Sequence, residues 1–150
     1  MLEEKLKELG IEIPQVPQPL ASYVPAVKSG NLIFTAGQVP MKNGQLVFKG
    51  KVGTDLSLSQ ATEAAKLCIL NGLGAVKSEI GDLNKIKKIV KVVVFVNSAE
   101  GFRDQPKVAN GASDLLVQLF GENGKHARSA IGVKELPIDA AVEIELIVEI

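Results

Sequence analysis

Apolar positions along this chain recur with two periods, and the period assigns each segment. The C-terminal stretch sets Val142, Ile144, Leu146, Val148 and Ile150 on one side and Glu143, Glu145 and Glu149 on the other, with Ile147 as the exception. Alternation of this kind predicts a strand over 142–150 with one buried face. IVKVVVFVN (89–97) is almost continuously apolar, which predicts a strand covered on both faces. Further strands are predicted near 23–28 and over Leu32–Ala36, joined by a turn at Ser29-Gly30-Asn31. QLVF (45–48) follows the Lys42-Asn43-Gly44 turn signal, and a last short strand is expected at 127–133.

The other period is helical. Ser57 precedes Gln60 by three residues, the capping-box spacing, and then Ala61, Ala64, Ala65, Cys68, Ile69, Gly72, Ala75 and Val76 share one small-residue face. Gly81-Asp82 breaks that pattern. A second helix is predicted over about 103–120, with Val108, Ala112, Leu115, Leu116, Leu119 and Phe120 as its stripe and Gly121 as its stop. Leu2, Leu6 and Leu9 suggest a short helix ended by Gly10, after which Pro14, Pro17 and Pro19 keep the chain extended.

The order β-β-β-α-β-α-β-β reads as one α+β domain over residues 1–150, with residues 1–19 as an N-terminal extension. A mixed sheet would carry the two long helices on one face. Its other face then needs a cover, and a second copy of the chain is the expected one.

Composition narrows the partners. Lys+Arg and Asp+Glu stand at 17 each, for a formal net charge of zero, and 46% of residues are hydrophobic. That gives no general attraction to phosphate backbones or anionic lipid, and little electrostatic protection against self-association. Cys68 is the one cysteine, which excludes an intramolecular disulfide and suits a reducing cytosol. MLEEKLKELGIEIP lacks the apolar core of a signal peptide, and no apolar run approaches the roughly 20 residues needed to cross a bilayer. The chain is therefore expected to be soluble and cytoplasmic.

Several chemistries lack their signatures. There is no GxxxxGK[ST], GxGxxG, HExxH or GxSxG, and His126 is the single histidine. One chain cannot supply the histidine pair of an acid–base ribonuclease. Carboxylates, arginine, hydroxyls, backbone groups and water remain.

Three linked stretches carry a family resemblance: AxYxxAVKSGNLIFTAGQVP (Ala21–Pro40), KVVVFVNSAEGF (Lys91–Phe102) and ARSAIGVKELPIDAAVEIELIVEI (Ala127–Ile150). In this order they resemble the Rid/YjgF (L-PSP) family of reactive-intermediate deaminases, over about Leu20–Ile150. The resemblance implies a chorismate-mutase-like fold assembled as a homotrimer with active sites between subunits. It also implies hydrolysis of 2-imino acids or their enamine tautomers to 2-keto acids and ammonia, with no metal or organic cofactor. By the same resemblance Arg128 grips the substrate carboxylate and Glu143 positions or protonates the attacking water. Tyr23, Gly37, Asn110 and the position of Ala130 would line the pocket. Two residues depart from the pattern: Ala130 stands where deaminases often carry cysteine, and His126 where many members carry proline.

The chemistry suits these residue types. Arginine offers a planar fork that matches a carboxylate bidentately, which lysine cannot, and a glutamate whose pKa is lifted by burial can pass protons through water. Each residue also has an ordinary reading. A strand arginine is commonly solvated or paired, Glu143 falls in a polar row with Glu145 and Glu149, Tyr23 reads as a strand residue with its ring packed and its hydroxyl wet, and Gly37 as the end of a strand where backbones approach closely. Cys68 reads as a small buried hydrophobe, and His126 as a loop residue. The departures at 130 and 126 motivate an alternative, a non-catalytic protein that binds small carboxylate metabolites. An endoribonuclease that inhibits translation is disfavoured by zero net charge, one histidine and few aromatics.

Overall fold

The computed structural model describes all of residues 1–150. Helix α1 (Leu2–Glu8) precedes the hairpin β1 (Ala26–Ser29) and β2 (Leu32–Thr35), then the two-residue strands β3 (Met41–Lys42) and β4 (Gln45–Leu46). Helix α2 (Leu58–Ile80), β5 (Lys88–Asn97), α3 (Gln105–Phe120), β6 (Ala127–Val133) and β7 (Val142–Glu149) complete the domain. Five strands form one mixed sheet in the order β1-β2-β7-β5-β6, in which only β5 and β6 run parallel. That parallel pair is joined by α3, as a crossover requires.

The helices form where expected because their ends are satisfied. At the start of α2, Gln60 N–H donates to Ser57 Oγ at 3.1 Å and Ser57 N–H donates to Gln60 Oε1 at 2.9 Å. Every residue of the predicted small face of α2 is buried. The two long helices cross closely: a Cβ on Gly111 of α3 would lie 2.3 Å from the Thr62 carbonyl of α2. Gly111→Ala should therefore destabilise the fold by about 1–3 kcal/mol, since overpacking forces backbones apart. The corresponding fall in Tm, read by circular dichroism, is roughly 2–4 °C per kcal/mol for a chain of this size.

Three expectations are corrected. QLVF does not join the sheet: Gln45–Leu46 pairs with Met41–Lys42 in a separate ribbon. Its turn has positive φ at Asn43 (53°) and Gly44 (76°), the geometry that Asn-Gly favours. The helices number three, because α1 packs against α3 and contributes Leu2 and Leu6 to the core. Strand β5 alternates, with Val92, Val94 and Val96 buried under the helices while Val93 and Phe95 are only half covered on the other face.

That other face is the structural feature that the sequence left for a second copy. In register across it lie Val27, Phe34, Ile147 and Lys91. Ile147, the exception to the alternation of β7, belongs to this row. Val27, Phe34 and Ile131 are exposed. The helix face is closed by contrast, with 32 residues in one core cluster.

Candidate functional site

Pairing across the sheet decides where each site residue faces. Arg128 of β6 stands opposite Val92, and Ala130 opposite Val94. Both valines are buried beneath the helices, so Arg128 and Ala130 project from the helix side of the edge strand. Glu143 of β7 stands opposite Phe95, which stands opposite Ile131. Those residues belong to the open face. In one chain the two charged residues thus lie on opposite faces of the sheet, two strands apart.

Each has its own surroundings. Arg128 Nη1 donates to Asn110 Oδ1 at 2.9 Å and to Ser113 Oγ at 3.1 Å, both on α3. None of the ion pairs in the chain includes Arg128. Of the five guanidinium N–H groups, two are engaged by neutral oxygens, which leaves the three on Nε and Nη2 as an open edge. Neutral partners orient the group without cancelling its charge.

Glu143 is half-buried, and its carboxyl lies against Gly37. A Cβ at position 37 would sit 2.5 Å from Glu143 Oε1, so only glycine allows the carboxylate this close to the backbone. Burial first, and then the nearby carboxylate of Glu145, raises the pKa of Glu143 above the ordinary value. The structure therefore brings Glu143 together with Gly37, and Arg128 together with Asn110, but not one pair with the other. Tyr23 lies in the segment before β1 with its ring exposed.

Ser113 was not singled out from the sequence. It follows Asn110 by three residues, so both fall on the strip of α3 that faces β6, and that spacing was a usable signal. His126 is likewise more than a loop residue: its Nε2 lies 2.9 Å from Ser113 Oγ and its Nδ1 2.6 Å from the Gly124 carbonyl. Cys68 is fully buried, and its thiol pKa is pushed well up by burial and then by Glu143, which keeps it a protonated core residue. No group of three or more His, Cys, Asp or Glu side chains is gathered to hold a metal ion. No helix is long and apolar enough to cross a membrane.

Grooves of about 320 to 680 Å³ each lie along the N-terminal segment and the outer faces of α2 and α3. Arg128 and Glu143 line none of these.

The family described as "YjgF/chorismate_mutase-like, putative endoribonuclease" matches residues 3–150. The chain belongs to the YjgF family. The match begins well before Leu20, and the structure explains why: α1 is part of the core, and the segment after it crosses α2 where Pro14 carbonyl meets Gly74. Among family relatives, protein TCP17 of Trypanosoma cruzi is 41% identical over 146 residues, covering 97% of this chain and 91% of its own. A 2-iminobutanoate/2-iminopropanoate deaminase of Dermatophagoides farinae is 33% identical over 140 residues, covering 93% of this chain and 94% of its own. The crystal structure of the protein Atu1372 from Agrobacterium tumefaciens, of unknown function, superimposes with a TM-score of 0.93 at 45% identity. It covers 99% of this chain and 92% of its own.

Proposed function

We propose that the protein hydrolyses 2-imino acids or their enamine tautomers to 2-keto acids and ammonia, in a cleft formed where copies of the chain meet. The observation that carries this reading is the Arg128 guanidinium, held by Asn110 and Ser113 with its Nε and Nη2 edge unpaired. That edge fits a carboxylate bidentately.

The reaction asks little beyond placement. With the carboxylate clamped, the imine carbon is fixed for attack by one water, which is the advantage of a geometrically constrained step. As the water oxygen bonds to C2 of the protonated imine, Glu143 takes a proton from that water and the C=N electron pair moves to nitrogen, giving a neutral tetrahedral amino alcohol. The same carboxyl returns that proton to nitrogen and then takes the hydroxyl hydrogen as the C–N bond breaks, so the C2 carbonyl forms and ammonia leaves. A raised pKa suits a group that must both take and give a proton near neutrality.

Because Arg128 and Glu143 lie on opposite faces in one chain, one substrate can meet both only if Glu143 comes from another copy. The family resemblance supports three copies, with the exposed Val27, Phe34 and Ile131 covered on assembly. Phe34→Glu would place a charge in that contact. The variant is expected to sediment as a monomer, retain its circular dichroism spectrum and lose activity, because each site would lack one wall.

The deciding assay couples an amino-acid oxidase to the protein and follows the release of keto acid and ammonia from the imine. Acceleration by wild type but not by Arg128→Ala supports the reading. Binding of pyruvate to Arg128 with no acceleration of any imine would favour the carboxylate-binding alternative, for which the open guanidinium edge is equally suited.

A further inference from the structure

Ser113 and His126 serve no step in the reaction above, yet their polar atoms form an unbroken line to Arg128. The direction of each hydrogen bond follows from elementary chemistry. The Gly124 carbonyl only accepts, so His126 Nδ1, at 2.6 Å, must carry the hydrogen. In the neutral ring Nε2 is then bare, and it accepts the Ser113 hydroxyl hydrogen at 2.9 Å. With its hydrogen committed, Ser113 Oγ presents a lone pair to Arg128 Nη1 at 3.1 Å. A mid-helix serine commonly turns its hydroxyl back to the carbonyl four residues earlier. Here the imidazole draws it outward instead.

We propose that Ser113 and His126 are positioning residues that, with Asn110, lock the Arg128 guanidinium so that its Nε and Nη2 edge faces the substrate carboxylate. The proposal rests on the carboxylate-clamping role of Arg128. The arrangement is not a hydrolytic dyad: the Ser113 lone pair is occupied by the guanidinium, and the middle of a helix offers no free backbone N–H to hold an oxyanion. Its effect is on orientation. Two acceptors on a single nitrogen stop the guanidinium from rotating, so less freedom is lost when a carboxylate binds. His126 stands where many family members carry proline, which has no side chain able to make this contact, so the relay belongs to this chain's own sequence.

The test combines kinetics with nitrogen-15 magnetic resonance on the full-length protein. For 2-iminopropanoate generated from alanine by an amino-acid oxidase, Ser113→Ala and His126→Ala should each raise KM about tenfold, with kcat within about twofold, the pattern of lost uniform binding. Ser113→Thr and His126→Gln keep the hydroxyl and an acceptor respectively, and should recover much of the loss. A merely structural role would lower the active fraction, and so the apparent kcat, instead. In the spectra, wild type should show His126 as the Nδ1–H tautomer and Arg128 with slowed guanidinium rotation, which either alanine variant releases.

An unchanged KM in both alanine variants, an Nε2–H tautomer, or a freely rotating Arg128 in wild type would each overturn the proposal. The reading of Arg128 itself fails separately, if Arg128→Ala hydrolyses the imine as fast as wild type. In that case no carboxylate is clamped for the relay to serve, and the proposal falls with it, whatever the spectra show.

Discussion

Arg128→Ala should lower kcat/KM for imine hydrolysis about 10²- to 10³-fold while leaving the thermal melt close to that of wild type. The magnitude follows from a charge-assisted bidentate contact, for which truncating one partner costs roughly 3–4 kcal/mol. Stability should change little because the side chain is only half-buried and bonds neutral groups that water can replace. Arg128→Lys should recover only a small part of the activity, since a lysine ammonium cannot offer the planar edge. Steady-state keto-acid release, measured on protein shown to be assembled, checks both variants. An Arg128→Lys enzyme with near wild-type kcat/KM would mean that only charge, and not geometry, is used.

Glu143→Gln carries the second large effect. Removing a positioned general acid–base should cost about 10²- to 10⁴-fold in kcat. The working form must be ionised to accept a proton from water, so kcat/KM should fall as pH drops through the pKa of Glu143. Burial raises that pKa, with Glu145 adding to the shift. The acid limb should therefore lie above the ordinary carboxylate value, and Glu143→Gln should abolish it. The stability sign is opposite to the usual carboxylate. The folded pKa exceeds the unfolded one, so this group's favourable contribution is complete below the unfolded pKa and is lost as pH rises through the folded pKa. Urea titrations on either side of that window should show Glu143→Gln gaining on wild type at the higher pH. Glu145→Gln should move the acid limb downward, because one of the two causes of the shift is then gone.

The tight approach of Gly37 makes the same carboxylate sensitive to the backbone. Any side chain at position 37 would displace Glu143, whose Oε1 would lie 2.5 Å from the new Cβ. Gly37→Ala is expected to lose most activity through a misplaced Glu143, measured as a fall in kcat with the assembly intact.

Much of the fold was legible because it rests on local rules. Period two along 142–150 specified β7 to within one residue of its observed end at Glu149, and the Ser57/Gln60 spacing marked the start of α2. Asn43-Gly44 marked the small ribbon, although its strands were too short to announce that they leave the main sheet. The apolar run of β5 read as covered on both faces, because a sequence records hydrophobicity but not whether the cover comes from the same chain. For the site, Arg128, Asn110, Glu143 and Gly37 were all named from the family resemblance. Ser113 and His126 were not joined to them, since the contact between α3 and the start of β6 depends on how the βαβ unit packs.

The sequence by itself determined the order of the long helices and main strands, the buried faces of α2, α3 and β7, and the residue types available for chemistry, because those depend on neighbours a few positions apart. That Arg128 and Glu143 lie on opposite faces of one sheet was decided only by tertiary structure. Strand register and pairing place them on opposite sides of the sheet, and a shift of one residue would have reversed either side chain. The same packing set the Arg128 guanidinium between two neutral oxygens with one edge free, an arrangement no local spacing specifies.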